Sequence, residues 1–362
     1  MREVQIALLW LTPVLFLVDW VYSFWYFADK SVRVPWRFHA LFFAFFGAMM
    51  WSLVAENVAM MWVAIELTTL VSAPLIIQHK SAASLEAMWK YLLICSVGIG
   101  LALFGTMLFL SGHSRVGFVF ILCGYGTKMG LAPFHTWLPD AHSESPAPVS
   151  ALLSGALLNC SFYAITRFAA LLPPEDLTFA TNAMITLGVL SLVVAAVFTV
   201  RQTDFKRLLA YSSVEHMGMV ILIYSCGFAL ARTGVSAALL VWALIIHIVF
   251  HSLNKTALFL TSGVIMKRYQ TRTIAMVQGM FHTRPGLAFT WFFFLLMICG
   301  MPPSGLFASE VLFVMSAPMW LSGIVATLLF VVFAGMIKAG IAMCLGRPRE
   351  CNPVKGLHQA GE

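Results

Sequence analysis

The chain has 362 residues and a net charge of +7; 60% of its residues are hydrophobic, 10% are charged, and the mean hydropathy is +0.89. So little charge over so much apolar length excludes a water-soluble globule and places the protein among polytopic membrane proteins. The basic residues are spread over several short segments rather than gathered on one arm, which excludes a nucleic-acid footprint.

About eleven apolar runs follow one another, near 5–27, 37–55, 57–77, 87–110, 116–135, 148–171, 181–200, 207–230, 236–264, 286–316 and 320–345. Each is long enough for a helix to cross a hydrocarbon core of about 30 Å. None alternates polar and apolar residues as the strands of a membrane barrel must, so the fold is expected to be all-α. The first run is not read as a cleaved signal: only Arg2 and Glu3 precede it, it contains Asp19, and Lys30, Arg33 and Arg37 follow it.

Lys and Arg concentrate on alternate sides of these runs. One side collects Lys30, Arg33, Arg37, Lys80, Lys90, Arg201, Lys206, Arg207, Lys267, Arg268, Arg272, Arg284, Arg347, Arg349 and Lys355; the other holds Arg2, Arg115, Arg167 and Arg232. That bias predicts an outer amino terminus and a cytoplasmic carboxyl terminus.

Nine ionisable residues fall within or close to the spans: Asp19, Glu66, Lys128, Glu215, His247, His251, Lys255, Glu310 and Lys338. A charge at the bilayer centre costs roughly 2.5–3.5 kcal/mol even on the lenient insertion scale, so these groups are expected to face one another or water. Lys338 lies about two turns from a cytoplasmic end and is read as snorkelling. Glu310 alone also fits a carboxylate near a helix end.

In the ninth run, "HIVFHSLNK" sets His247, His251 and Lys255 at i, i+4 and i+8 on one helical face. Their backbones span about 12 Å at 1.5 Å per residue, a ladder along which protons could move. Two other readings apply: histidines bonded to neighbouring helices, or a His-x3-His metal site, which lacks a nearby third ligand in the sequence.

Lys128 lies in "CGYGTKMGLAPFHTWLPDAH", where Pro133 removes a backbone donor and should break the span. Gly300, Pro302, Pro303 and Gly305 in "ICGMPPSGLFASE" should break another, just before Glu310. The breaks divide the chain into an amino-terminal helix and basic loop (1–36), a first five-helix repeat (37–171), a second (172–345) and a cytoplasmic tail (346–362). Each repeat carries its break near its fourth helix, and an odd number of spans inverts one repeat relative to the other.

The seven cysteines, Cys95, Cys123, Cys160, Cys226, Cys299, Cys344 and Cys351, show no CxxC or comparable ligand spacing. No Gly-rich nucleotide fingerprint occurs either. No cofactor is therefore expected, no metal is assigned, and any electron-transfer chemistry belongs to a partner.

The stretch "GTKMGLAPFHTWLPDAHSESPAPVSALLSGALLNCSFYAITRF" (126–168) resembles the signature of the proton-conducting antiporter-like subunits of respiratory complex I, sodium/proton antiporter complexes and energy-converting hydrogenases. "DFKRLLAYSSVEHMG" (204–218), "HIVFHSLNKTALFLTSG" (247–263) and "GMPPSGLFASE" (300–310) extend the resemblance over essentially the whole chain. Glu215-His216 in "SSVEHMG" is most similar to the hydrogenase-4 branch, component F.

The resemblance implies Glu66 and Lys128 as a carboxylate–lysine pair, Lys255 as the central lysine, His247 and His251 as relay groups, and Glu310 as the exit residue. Lys90, His135, Lys206, Glu215 and His216 are implied as accessory. Asn159 in "SGALLNCS" stands where many complex I relatives carry a lysine, a departure at the link between the halves. Compared with longer relatives, about two amino-terminal helices and at least one carboxyl-terminal helix are expected to be missing.

By this resemblance the chain is a proton-translocating subunit in the inner membrane, with other membrane subunits and a peripheral redox module as partners. A direct Glu66–Lys128 contact would be worth about 4 kcal/mol at 4 Å and an effective dielectric near 20. A sodium/proton antiporter or inorganic-carbon uptake complex is an alternative setting. A scaffold that holds a peripheral enzyme without transporting ions is another.

Overall fold

A computed structural model describes residues 2–28, 36–77, 81–232 and 237–346, apart from the Arg232 side chain. Lys30, Arg33, Lys80, Cys351, Arg347, Arg349, Lys355 and the expected tail lie outside the described residues. Fifteen α-helices occur among them. They are α1 (Arg2–Ala28), α2 (Trp36–Val54), α3 (Val58–Ile76), α4 (Ala82–Leu110), α5 (Ser114–Met129), α6 (Trp137–Glu144), α7 (Ala147–Leu152), α8 (Leu158–Ala169), α9 (Leu177–Thr199), α10 (Phe205–Arg232), α11 (Ala238–Tyr269), α12 (Met280–Thr283), α13 (Pro285–Ile298), α14 (Gly305–Ser316) and α15 (Met319–Leu345).

Among the described residues ten helical stretches are long and apolar enough to cross a membrane, and α13 with α14 supplies two shorter apolar helices. Taken as one interrupted span, α13–α14 brings the number to the eleven expected. Leu93, Val97, Phe104 and Met107 of α4 and Trp10, Val14, Leu17 and Val21 of α1 are exposed. Such residues face outward because lipid, unlike water, solvates them.

Both breaks fall where the prolines place them. After α5 the chain turns through Gly130, at φ +82°, and resumes as α6. The interrupted backbone finds other partners: Leu131 N donates to the Gly126 carbonyl at 2.9 Å, and Ala132 N donates to Ser191 Oγ of α9 at 2.9 Å. Trp137 Nε1 donates back to the Thr127 carbonyl at 2.8 Å, pinning α6 against the end of α5. Irregular backbone within a membrane persists only with such protein-supplied partners.

The next span, 147–169, is interrupted differently, by a π-helical turn at Leu153–Leu157 between α7 and α8. Close helix approach is secured by small residues, as membrane packing requires. At Gly124 of α5 a Cβ would fall 2.5 Å from both Ala102 N and the Gly98 carbonyl of α4.

α1 packs along α11, α7 and the π-turn, against both parts of the bundle.

Candidate functional site

Three-residue steps along α3 place Glu66, Thr69 and Ser72 on related faces of the helix. Glu66 accepts from Ser96 Oγ of α4 at 2.9 Å and from Thr69 Oγ1 at 3.4 Å. Lys128, fully buried at the end of α5, donates to Thr69 Oγ1 at 2.9 Å and to the Tyr91 hydroxyl at 2.7 Å. Its ammonium also lies 4.6 Å from the centre of the Tyr91 ring. Ser72 Oγ is 2.7 Å from the same hydroxyl.

Glu66 and Lys128 therefore form no direct ion pair. The Thr69 hydroxyl stands between them, donating its one hydrogen towards the carboxylate and accepting from the ammonium. This corrects the expected contact, because the geometry of α3 and α5 inserts a hydroxyl where the sequence shows only two charges.

The second group forms where α10, α11, α13 and α14 meet. Lys255 is fully buried and donates to the Leu209 carbonyl at 2.6 Å and to Ser212 Oγ. Glu215, also buried, lies three residues beyond Ser212 on α10. His216 Nδ1 is 3.2 Å from His247 Nε2, and His247 Nδ1 is 2.8 Å from Ser309 Oγ of α14.

The other nitrogen of His216, Nε2, is 3.0 Å from the Ile298 carbonyl. In an uninterrupted helix that carbonyl would accept from residue 302. Residue 302 is proline and has no N–H to give. The break thus exposes a carbonyl, and a histidine from another helix satisfies it.

Proton counting follows from these contacts. Ile298 O, the two histidines, Ser309 and the Leu306 carbonyl, which Ser309 Oγ reaches at 2.8 Å, form a run of four hydrogen bonds closed at both ends by acceptors. Four bonds need four hydrogens, whereas two neutral imidazoles and one hydroxyl supply three. The run is complete only with one additional proton on the histidine pair, so proton uptake there makes a hydrogen bond and release breaks one.

His251 differs from its neighbours on the ladder. Its ring centre is 5.1 Å from that of His216, but neither ring nitrogen has a hydrogen-bond partner among the described residues. The three α11 residues share a face as the spacing predicts, yet His247 and Lys255 bond across to α10 and α14 rather than to one another. Glu310, next to Ser309, rests its carboxylate against Gly300, which adopts φ +68°. His216, His247 and Glu310, from three different helices, bring ligand atoms within 4.8 Å of one another, a group that does not include His251.

The accessory residues separate into buried and surface groups. Lys206 is buried and donates to the Ser145 carbonyl at 2.5 Å and the Ser143 carbonyl at 3.3 Å, tying the end of α6 to the start of α10. His135 is buried in the turn after Pro133, its ring 6.1 Å from Tyr211. Lys90 instead pairs with Glu86 at 2.6 Å and Asp140 at 3.0 Å on an open face, where Arg207 also reaches Asp140 at 2.6 Å. Lys338 is exposed on α15, in keeping with the snorkelling reading.

Two contacts join the π-turn region to the helices of the second group. Ser154 Oγ is 2.8 Å from Ser213 Oγ, beside the serine that Lys255 touches. Asn159 Nδ2 donates to the Gly155 carbonyl at 2.9 Å and to Ser252 Oγ of α11 at 3.0 Å. Thr69, Tyr91, Ser212 and Ser309 were not singled out by charge; their signal is helical spacing, Thr69 at i+3 from Glu66 and Ser212 at i−3 from Glu215.

Residues 111–338 match the family described as "NADH:quinone oxidoreductase/Mrp antiporter, TM". A hydrogenase-4 component F homolog from Methylacidiphilum infernorum (isolate V4) is 37% identical over 354 residues, covering 89% of this chain and 72% of that protein. Among solved structures, the fold is similar to a chain of the Mrp complex from Dietzia sp. DQ12-45-1b, with a TM-score of 0.85 and 19% identity, covering 96% of this chain and 67% of that one. It is also similar to a chain of the membrane-bound sulfane sulfur reductase, an archaeal respiratory membrane complex, with a TM-score of 0.81 and 21% identity over 95% of this chain and 76% of that one.

Proposed function

We propose that this chain, which belongs to the NADH:quinone oxidoreductase/Mrp antiporter transmembrane family, moves protons through a line of buried side chains. The chain is a multi-pass, antiporter-like membrane subunit of the kind found in complex I, Mrp and hydrogenase-type assemblies. The finer reading rests on one observation: two lysines, Lys128 and Lys255, are held fully buried by hydroxyl and carbonyl oxygens, without a direct carboxylate partner. A buried ammonium stabilised by weak partners can give up its proton when its surroundings change.

In this reading Glu66, through Thr69, holds the proton on Lys128. Withdrawal of Glu66 frees that proton to pass towards Lys255, and the histidine pair receives it, with Glu310 at the exit. The residues 37–171 and 172–345 act as two inverted five-helix units, since each places its proline-broken span fourth. The bias of basic residues supports an outer amino terminus and a cytoplasmic carboxyl terminus in an inner membrane. Similarity to hydrogenase-4 component F supports a hydrogenase-like or quinone-linked peripheral module as the source of the driving reaction.

Asn159 favours a second reading, a membrane scaffold without transport, because an amide cannot carry a proton between the halves. Co-purification in mild detergent, followed by reconstitution of the complex into proteoliposomes, separates the two. Proton pumping coupled to the partner's redox reaction supports translocation. Assembly and full redox activity without a pH gradient supports the scaffold.

A further inference from the structure

Asp19 of α1 is fully buried, and neither of its carboxylate oxygens has a hydrogen-bond partner among the described residues. Leaving a carboxylate so placed is costly in a membrane, and such residues mark ion pathways far more often than they mark packing. The line of Glu66, Lys128, the histidines, Lys255 and Glu310 does not use it.

Two contacts fix where Asp19 lies. Around the position a Cβ would take at Gly155, Leu15 Cδ1 stands at 3.3 Å, Thr256 Oγ1 at 3.0 Å and the Ser252 carbonyl at 3.3 Å. Further along α1, the Tyr22 hydroxyl donates to the Leu260 carbonyl at 2.8 Å. Asp19 falls between these anchors, four residues after Leu15 and three before Tyr22, on the same side of the helix. On α11 the matching interval runs from Thr256 to Leu260 and begins one residue after Lys255. Asp19 is thus set at the seam where the π-turn of the first half meets α11 of the second.

Two further orphan atoms border that interval. Thr256 Oγ1 and Asn159 Oδ1 are buried without hydrogen-bond partners among the described residues, while the amide nitrogen of Asn159 is committed to Gly155 and Ser252. A carboxylate, a hydroxyl and an amide oxygen in one buried region are what a bridging water requires. Asn159 can orient such a chain but cannot hold the proton.

We propose that Asp19 is a proton-binding residue of the translocation path, taking up and releasing the transported proton at the seam between the π-turn and α11. The transfer forms a carboxyl O–H bond as an N–H bond of the donor ammonium breaks, and no electron changes hands. Tyr22 and Tyr26 follow Asp19 on α1, while on α11 Lys255 directs its ammonium to Leu209 and Ser212 of α10 and the His251 ring lies against His216. The inference rests on the proton-relay reading and adds the station that Asn159 cannot supply.

The test uses the whole complex in proteoliposomes with Asp19→Asn and Asp19→Glu, beside Lys128→Ala and Lys255→Ala. Asp19→Asn should lower proton pumping by roughly a hundredfold, the scale for loss of a positioned proton-transfer group, while partner redox activity persists; Asp19→Glu should recover much of the rate. Infrared difference spectra of the native complex during turnover should show a carboxylic-acid band that vanishes in Asp19→Asn. Native pumping in Asp19→Asn, or a turnover spectrum unchanged by the substitution, overturns the proposal. If the two lysine variants have lost pumping in that case, the relay stands without Asp19; if they pump normally, the relay reading itself has failed.

Discussion

His216 donates through Nε2 to the carbonyl of Ile298, the group that Pro302 leaves without its helical partner. One ring therefore does two things: it closes the gap in a broken helix and, through Nδ1, meets His247 at 3.2 Å. Replacing His216 with Phe orphans a buried carbonyl, which costs about 1–3 kcal/mol, and removes half of the histidine pair. Thermal unfolding of the purified complex should shift downward and proton pumping should fall. His216→Gln should recover stability through its amide N–H without recovering pumping. Equal recovery of both would mean the ring serves packing alone.

Thr69 is the hinge of the first group, because its single hydroxyl touches both Glu66 and Lys128. Thr69→Val keeps the shape and removes the link. Pumping by the reconstituted complex should drop by roughly a hundredfold, with assembly unchanged, and Thr69→Ser should pump at close to the native rate. A fully active Thr69→Val would show that Glu66 acts on Lys128 without the bridge.

Lys90 and Lys206 were expected to have similar accessory standing, and their surroundings separate them. The Lys90 side chain is 46% exposed in its pairs with Glu86 and Asp140, and surface pairs of that kind contribute at most about 1 kcal/mol. Lys206 is buried and caps two carbonyls, so its removal should cost about 1–3 kcal/mol. Parallel melting curves of Lys90→Ala and Lys206→Ala should therefore diverge, with the second clearly lower.

Gly124 tests the packing that positions Lys128, since a side chain there would press on the α4 backbone at Gly98 and Ala102. Gly124→Val should destabilise the subunit by about 1–3 kcal/mol. The loss should appear as reduced recovery of intact complex and a lower melting temperature. A variant as stable as the native chain would mean that α4 and α5 separate without cost.

Much of this arrangement was legible in the sequence. Spans follow from apolar length, and the two breaks follow from Pro133 and from Pro302–Pro303, because a missing donor acts locally. Burial of Asp19, Lys128, Glu215, His247, His251 and Lys255 could also be read from their apolar runs, whereas Lys206, buried at the start of α10, reads in the sequence as a loop residue. Pairing across helices could not. His251 keeps the ladder spacing yet has no side-chain hydrogen-bond partner among the described residues, while His216, from another helix, takes the place beside His247. Thr69 intervenes between two charges for the same reason: helix rotation and depth are set by packing at residues such as Gly98 and Gly124, not by periodicity. Asp19 was visible as a charge in the first span, but its place at the seam required the contacts of Leu15 and Tyr22.

The central claim is that buried lysines carry protons across the membrane. It is tested most directly by pH-gradient formation in proteoliposomes holding the intact complex with Lys128→Ala or Lys255→Ala, with the partner's electron-transfer rate recorded in the same samples. Either substitution should abolish the gradient while electron transfer continues at least in part. A gradient of native size in both variants would contradict it.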